Sequence, residues 1–302
     1  MSGHSSVALT VPIIIAAALT LLPYFTAAFF PHHFRFAATT HAERLHPILR
    51  VLRPAFLCIP YALVAWSTHT FHWIWLAVYA IVPVAIAGLM WNARLADPHR
   101  HGNWRDFFVL AFLGLAVDLR WFQPAWPAHL AIFNKIILLD AGIYAFLAIR
   151  HLDGVGFDLR LRLRDLGIGL REFAFYAPIA VALGLALGFL QLHAVWPNPL
   201  HAIDAFIFSF LFVAVPEELF FRGWLQNLLE RRIGRIGALV LTAILFGLSH
   251  WNKRALHFNW RYVVLAAFAG IFYGRAWRQD RRVGASSITH ACVDTIWGIW
   301  FW

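Results

Sequence analysis

Long apolar runs, separated by short polar stretches, make up most of the sequence. A membrane-spanning helix needs about 20 mostly apolar residues to cross a hydrocarbon layer roughly 30 Å thick. Ten windows are long enough to do so when some tilt is allowed. They lie at 7–30, 51–68, 72–92, 106–121, 127–149, 173–193, 203–229, 236–251, 261–277 and 284–302. The pattern therefore predicts an all-α fold, a polytopic transmembrane helix bundle of about ten spans.

The longest polar interruption, His151–Arg171, separates the first five spans from the last five. Between Phe157 and Arg164, apolar and charged residues alternate with period two, which is typical of a strand. A run of arginines beside a membrane also suits an interfacial segment that meets anionic headgroups, and we favour that interpretation. The predicted domains are N-terminal membrane helices of unassigned role at 1–150, an interfacial basic segment at 151–172, and a C-terminal domain at 173–302.

The composition excludes an ordinary water-soluble protein. Apolar residues occupy 61% of the 302 positions and charged residues only 13%, whereas soluble domains carry about 25% charged residues. The net charge of +10 does not point to nucleic acid, because the basic residues lie in short loops between apolar runs. Eighteen of the 25 Lys and Arg residues follow odd-numbered spans and four lie in the opposite loops. This bias predicts ten crossings with both termini outside.

Three polar clusters interrupt the last five spans. A central Asp, Lys or Arg costs about 2.5–3.5 kcal/mol on insertion scales, so such residues usually face a bundle interior and pair with one another. Structural ion pairs and interfacial histidines would explain each cluster separately, but three clusters in order, each on a predicted span, favour one buried site. The clusters contain Glu217, Glu218 and Arg222; Phe246 and His250; and His290 and Asp294.

Spacing places several of these side chains on shared helix faces. Glu218 and Arg222 are four residues apart, and so are His290 and Asp294. Side chains at that separation meet on the surface of a helix. We therefore expect Arg222 to brace Glu218, and Asp294 to orient the imidazole of His290 or to supply a polar contact of its own.

Two expectations concern the depth of these groups in the membrane. Pro216 precedes the two glutamates and is expected to break the helix, which would open a cavity beside Glu217. Counting about 1.5 Å per residue places Glu217 roughly 20 Å below the outer start of its span, and His250 near the outer end of the next. The two would share a water only if the helix breaks at Pro216, the spans tilt, or the boundaries differ.

The ordered motifs resemble the CPBP family of CAAX-processing and bacteriocin-processing intramembrane proteases, also called the Abi family. These motifs are Glu-Glu-x-x-x-Arg, Phe-x-x-x-His and His-x-x-x-Asn/Asp on successive membrane helices. They cover roughly Phe206–Trp302, about a third of the chain. Asp294 stands where asparagine is common in the family. The resemblance implies that 173–302 is a CPBP-like intramembrane protease domain.

This resemblance also implies roles for the clustered residues in peptide-bond hydrolysis. Glu217 is then the general base that activates a water, with His250 positioning that water. His290 and Asp294 stabilise the tetrahedral oxyanion, for which fixed donors are often the largest catalytic contribution. The supporting residues that structure the site are Glu218, Arg222 and Phe246.

The resemblance leaves the cofactor open, because the family is described both as glutamic proteases and as metalloproteases. Glu217, His250 and His290 are chemically adequate ligands for a catalytic zinc ion. The sequence has no His-Glu-x-x-His helix, and Cys58 and Cys292 form no cysteine-type zinc site. We favour catalysis without a metal, with zinc as the alternative.

The predicted function is an intramembrane endopeptidase acting on a membrane-associated protein or peptide. The alternatives are a transporter or channel that uses the buried charges, and a catalytically silent family member that serves as an immunity or assembly factor. Three interpretations stay open for Lys135 and Asp140 in the fifth span. They mark an ion path, they form a local pair, or they line the same cavity as the polar clusters. The expected partners are substrate and lipid bilayer, not nucleic acid, and the family implies a bacterial inner membrane. Substrate identity and oligomeric state stay open.

Overall fold

The structure, a computed structural model, describes residues 10–31, 46–193, 196, 198–253 and 257–301. The outermost residues of the first and last predicted spans lie outside this part, as do Arg35, Arg44 and Arg254 of the charge count. The described elements are all helical, apart from one isolated bridge between Leu192 and Phe301. The all-α class is therefore confirmed, and the chain divides into two compact units, Met1–Leu152 and Asp153–Trp302.

Five main helices form the described part of the first unit. Of the α5 window, 72% is buried, against 33% or less for the other candidate spans of the unit, so α5 is its central helix. Asn103 and Asp106 form a capping box at the start of α4. The Asp106 carboxylate accepts from the backbone N–H of Asn103, and the Asn103 side chain accepts from a backbone N–H of the first turn. The helices are α1 (Val11–Phe29), α2 (Pro47–Ser67), α3 (Trp73–Ala96), α4 (Trp104–Asp118) and α5 (Ala128–Ile149).

Arg150 anchors the end of α5 in the first unit. Its guanidinium is fully buried and donates to Asp106 Oδ1 at 2.8 Å and to Asp97 Oδ2 at 2.6 Å. A buried arginine is tolerated when its charge is paired and its donors are used. The charge pattern predicts a loop position for Arg150, one of the eighteen basic residues that follow odd-numbered spans, but Arg150 belongs to the interior of this unit.

Asp140 lies on the same central helix without such compensation. It is 2% exposed, and neither carboxylate oxygen has a hydrogen-bond partner among the described residues. Lys135 is exposed instead of paired with it. The predicted local pair is therefore wrong, because residues five apart on a helix point in different directions.

The second unit also contains five helical stretches. The seventh predicted span continues directly into the eighth, and residues Pro199–Leu248 form one 50-residue helical stretch. A straight helix of that length would be about 75 Å long. Gly234 divides it, because its φ of 73° and ψ of 173° are not helical. The two limbs then lie side by side, with the rings of Phe221 and Phe246 5.0 Å apart. The helices are α6 (Leu163–Ala186), α7 (199–226), α8 (Asn227–Leu248), α9 (Trp260–Asp280) and α10 (Val283–Trp300).

Six stretches in the described part are long and apolar enough to cross a membrane. They are α1, α2, α3, α5, α6 and the stretch formed by α7 and α8. Helices α4, α9 and α10 are not among them. Helix α4 has only 15 residues, α9 carries Arg275, Arg278 and Asp280, and α10 carries His290 and Asp294. The protein is an integral membrane protein, but the count of about ten spans is not confirmed.

The basic segment between the two predicted halves differs from the expectation. Helix α6 begins at Leu163, ten residues before the predicted span, because the Asp165 carboxylate accepts from the backbone N–H of Arg162 at 2.9 Å and caps the first turn. The strand-like alternation before it forms no strand. Arg282 holds this loop by donating to Asp165 Oδ1 at 2.8 Å and to the carbonyl of Arg160 at 2.9 Å.

Asp158 is the charged partner within that loop. Burial alone would raise the pKa of Asp158, but hydrogen bonds from Arg160 and the positive charge of Arg282 outweigh it and lower this pKa to about 2. The carboxylate therefore stays ionised at neutral pH. Part of the basic segment is thus neutralised within the second unit.

Close helix packing places α10 against α6, and α8 against α9. The hydroxyl of Thr289 donates to the carbonyl of Gly169 at 3.0 Å, and a Cβ at Gly169 would lie 2.7 Å from Ile288. Between α8 and α9, a Cβ at Gly247 would lie 2.5 Å from the carbonyl oxygen of Val263. These contacts require glycine, because a Cβ at either position would clash with the neighbouring helix.

Candidate active site

The two glutamates lie in a part of α7 that contains π-helical segments. The turn Val215–Glu218 is α-helical, and π-helical segments flank it at Phe210–Ala214 and Leu219–Gln226. Pro216 has no N–H to donate to the preceding turn, so one hydrogen bond of the ladder is lost. A π-helical turn absorbs such a defect and is common at functional sites. The expected break at Pro216 is therefore wrong, because the helix widens and continues.

Glu218 bridges two other predicted site residues. One carboxylate oxygen accepts from Arg222 Nε at 3.0 Å, and the other accepts from His290 Nδ1 at 2.9 Å. Glu218 and Arg222 are both fully buried. The Glu218–Arg222 pair was expected from their spacing. The contact with His290, which lies 72 residues away, was not.

Arg222 sits among aromatic rings. Its guanidinium lies 5.2 Å from the ring centroid of Phe246 and 5.9 Å from those of Phe221 and Tyr273. Its two terminal nitrogens have no hydrogen-bond partner among the described residues. Cation–π attraction therefore replaces hydrogen bonds on the far side of the guanidinium.

Glu217 points to a different side of α7 and is accessible. Its side chain is 28% exposed, whereas that of Glu218 is fully buried. Glu217 Oε2 lies 4.0 Å from His290 Nε2, and Oε1 lies 3.9 Å from Lys253 Nζ. One of the two adjacent glutamates is thus committed to structure, and the other faces groups that can act on a water or substrate.

His290 is surrounded by carboxylates on both ring nitrogens. Glu218 occupies Nδ1, while Nε2 faces Glu217 at 4.0 Å and Asp294 Oδ2 at 3.7 Å. The ring is 3% exposed and stacks on Tyr273, with centroids 4.5 Å apart and planes 17° apart. This environment fixes the orientation of the imidazole.

Asp294 has a second partner, on α7. The hydroxyl of Ser209 donates to Asp294 Oδ2 at 2.8 Å. The predicted neighbour of Asp294 on its own helix, His290, is farther away at 3.7 Å. The Asp294 carboxylate is therefore held mainly by another helix.

His250 lies just beyond the end of α8 and is only 6% exposed, so it is not a solvent-facing interfacial histidine. Its Nδ1 donates to the carbonyl of Phe246 at 2.9 Å and lies 3.2 Å from Ser249 Oγ. The ring of Phe246 packs between the two histidines, with centroids 4.9 Å from that of His250 and 5.6 Å from that of His290. This arrangement assigns the Nδ1–H tautomer and leaves Nε2 as an acceptor.

The expected mismatch in depth does not occur. Glu217 lies 17 residues before Gly234 and His250 lies 16 residues after it. Because the chain reverses at Gly234, nearly equal distances along the two limbs bring both residues to the same level. The turn at Gly234, and not the outer end of each predicted span, sets the relative level of the two residues.

A cavity with an empty volume of about 670 Å³ opens beside the cluster. His250, His290 and Asp294 contribute to its polar lining, together with the tyrosines Tyr262 and Tyr273. The remaining lining is mostly apolar. It comes from α6, α9 and α10 and includes Phe173, Ala180, Ala266, Val293 and Trp297.

The donor arrangement does not fit a bound metal ion in this geometry. Within the described residues, no group of three or more His, Cys, Asp or Glu side chains is arranged to hold one. Of the expected ligands, His290 uses Nδ1 for Glu218 and His250 uses Nδ1 for the carbonyl of Phe246, so a metal ion could reach only their Nε2 atoms.

Sequence reasoning missed three residues of this cluster. Ser209 lies eight residues before Glu217 on α7, and Lys253 lies three residues after His250. Tyr273 on α9 stacks on His290 from an element in which no motif was recognised. Lys253 could have been found as a charge one turn from a motif histidine. Ser209 and Tyr273 carry no sequence signal, since only folding brings them to the site.

Comparison with known families supports a relationship for this part of the chain. The model of the family described as type II CAAX prenyl endopeptidase Rce1-like matches residues 199–296. No curated protein and no solved structure matches the chain. The family resemblance predicted from the motifs is confirmed over this range, which contains Glu217, Glu218, Arg222, Phe246, His250, His290 and Asp294.

Proposed function

We propose that this integral membrane protein, whose residues 199–296 match the Rce1-like endopeptidases, is a CAAX-type intramembrane endopeptidase. The observation that carries the proposal is that His250, His290 and Asp294 line one largely apolar cavity, with Glu217 4.0 Å from His290. The apolar lining suits a substrate that is itself embedded in the membrane or carries an apolar group. A bacterial inner membrane is the proposed location.

Glu217 is the general base of the proposed reaction. It takes a proton from a water molecule, whose oxygen then attacks the carbonyl carbon of the scissile bond. Its 28% exposed side chain makes it the member of the glutamate pair that water can reach. The Nε2 atom of His250 accepts a hydrogen bond from the same water and orients it, because Nδ1 is already committed to Phe246.

His290 stabilises the oxyanion that this attack creates. With Nδ1–H donated to Glu218, the protonated ring presents Nε2–H to the developing negative charge. A fixed donor in a site of low polarity is worth more than one in water, since it need not reorient. The intermediate then collapses, the C–N bond breaks, and Glu217 returns its proton to the leaving amine.

Glu218, Arg222 and Phe246 hold the reacting groups in place. Glu218 fixes the orientation of His290, and Arg222 donates to the other carboxylate oxygen of Glu218. Phe246 contributes its carbonyl to His250 and its ring to Arg222. All three residues act through another side chain and do not contact the reacting atoms.

The first prediction tests the base. Glu217→Gln and His250→Ala should each lower cleavage of a farnesylated CAAX peptide in liposomes by about 10³-fold or more, while insertion and thermal stability stay unchanged. Asp204→Asn is the control, because Asp204 is an exposed acid on the same helix. Full activity in both site variants would overturn the proposal, and ion flux without cleavage would identify a transporter.

Metal-free catalysis is a separate part of the proposal. Chelation should leave cleavage unchanged, since Glu217 activates the water and His290 stabilises the oxyanion without a metal in the proposed reaction. Loss of activity that returns only with added zinc would contradict it. The natural substrate is best sought by comparing membrane proteomes of wild-type and deletion strains for an uncleaved precursor.

A further inference from the structure

The active-site carboxylate Asp294 poses a chemical problem. It stands where related proteases commonly have asparagine, whose amide can donate a hydrogen bond to an oxyanion. A carboxylate can only accept. Four residues after His290 on α10, it also lies on the same helix face as that histidine. Left unrestrained, it would bind the Nε2–H of His290 and occupy the donor that the oxyanion requires.

The observed distances show that this capture has not taken place. Asp294 Oδ2 lies 3.7 Å from His290 Nε2, which is beyond hydrogen-bond distance. The same oxygen accepts from Ser209 Oγ at 2.8 Å, which is the usual distance for such a bond. The carboxylate is therefore drawn towards α7 and away from the imidazole.

The position of Ser209 suits this role. It is 8% exposed, whereas the Asp294 side chain is 31% exposed, so the hydrogen bond between them is partly buried. It is also the last residue of the first α-helical part of α7, directly before the π-helical segment Phe210–Ala214. That segment leads into the turn that carries Glu217, so one helix supplies both the base and the group that restrains Asp294.

We propose that Ser209 is a positioning residue, whose hydroxyl holds the Asp294 carboxylate and so keeps the Nε2–H of His290 available to the oxyanion. The inference rests on the proposed endopeptidase function and adds a residue to it. It also explains how an aspartate replaces the common asparagine without loss of the oxyanion site.

Steady-state cleavage of the same farnesylated CAAX peptide tests the role. Ser209→Ala should lower kcat about 10- to 100-fold, somewhat less than the 10²- to 10³-fold loss on removing an oxyanion donor outright, and should leave KM within about twofold. Ser209→Thr keeps the hydroxyl and should restore most of kcat. Ser286→Ala is the control and should match the wild type, because Ser286 is a buried serine that binds only a local carbonyl.

The decisive variant is Ser209→Ala combined with Asp294→Asn. A neutral carboxamide binds an imidazolium less strongly than a carboxylate does, so the double variant should have a higher kcat than Ser209→Ala alone. A purely structural serine would instead give effects that multiply. Wild-type kcat in Ser209→Ala, or a double variant no faster than the single, would overturn the inference.

The outcome is separable from that of the proposed function. If wild-type protein does not cleave the peptide while Glu217→Gln behaves identically, the endopeptidase proposal fails. If wild-type protein cleaves and Ser209→Ala cleaves equally well, only the role of Ser209 fails. Melting temperatures of all variants confirm that the rates compare folded proteins.

Discussion

Glu218 illustrates at the scale of single residues how the site tolerates buried charge. Its two oxygens bind Arg222 Nε and His290 Nδ1, and all three side chains are 4% exposed or less. Burial of a lone charge costs several kcal/mol, whereas a paired and hydrogen-bonded charge recovers much of that cost. The same carboxylate therefore stabilises the fold and orients the histidine.

Removal of the Glu218 charge should destabilise the protein. Glu218→Gln leaves the fully buried guanidinium of Arg222 without its counter-charge, and we expect a loss of about 3–5 kcal/mol in the free energy of unfolding. Combining it with Arg222→Met removes both charges and should recover much of this loss. Thermal unfolding in detergent micelles measures both variants. Equal losses in the single and double variants would show that the Glu218–Arg222 ion pair does not account for the loss of stability.

Local spacing predicts some contacts of the site and not others. Glu218 and Arg222 are four apart on one helix, so their pairing could be read from the sequence. Glu218 and His290, or Ser209 and Asp294, lie 72 and 85 residues apart, and no local rule relates them. Such contacts depend on how the helices pack.

At the scale of elements, most apolar runs became helices near their predicted positions. The errors have local causes, since an Asp165 cap starts α6 early and π-helical segments carry α7 past Pro216. The most consequential break is at Gly234, inside α8. It separates α7 and the first turns of α8 from the apolar limb that follows. It determines which residues of the two limbs lie level.

Gly234 should resist substitution for backbone reasons alone. Its φ of 73° and ψ of 173° belong to a region open essentially only to glycine, while no described atom lies within 4 Å of the position a Cβ would take. Gly234→Ala should therefore cost about 1–3 kcal/mol of unfolding free energy. Gly167→Ala is the matched control, because Gly167 is exposed, helical and equally uncrowded. It should be neutral or stabilising by up to about 1 kcal/mol, and similar effects at both sites would contradict the argument.

At the scale of the whole molecule, the two units use buried acids differently. The candidate chemistry is confined to the second unit, where each buried acid of the site is paired. The first unit contains Asp106, paired with Arg150, and Asp140, whose oxygens have no hydrogen-bond partner among the described residues. A buried carboxyl group without a hydrogen-bond partner destabilises a helix bundle, and apolar packing alone does not compensate for this loss.

A matched pair of variants in the first unit distinguishes these two acids. Asp106→Asn leaves Asp97 as the remaining counter-charge of the buried Arg150 and should lower the free energy of unfolding by about 1–3 kcal/mol. Asp140→Asn removes a buried carboxyl group that has no hydrogen-bond partner among the described residues, and should leave stability unchanged or raise it. Chemical unfolding of the full-length protein measures both. Marked destabilisation by Asp140→Asn would reveal a bound cation or partner at that site.

The sequence by itself determined that lipid is the solvent of this protein, and it predicted the candidate chemistry. Its apolar runs require lipid, because too few charged residues exist to cover a soluble surface, and three ordered motifs predict the family that matches residues 199–296. Those signals are local in the chain, which is why they could be read. The tertiary structure alone decided which glutamate is buried, which residue holds Asp294, and that Glu217 and His250 lie level. These depend on contacts between distant helices, where packing and the turn at Gly234 set the distances.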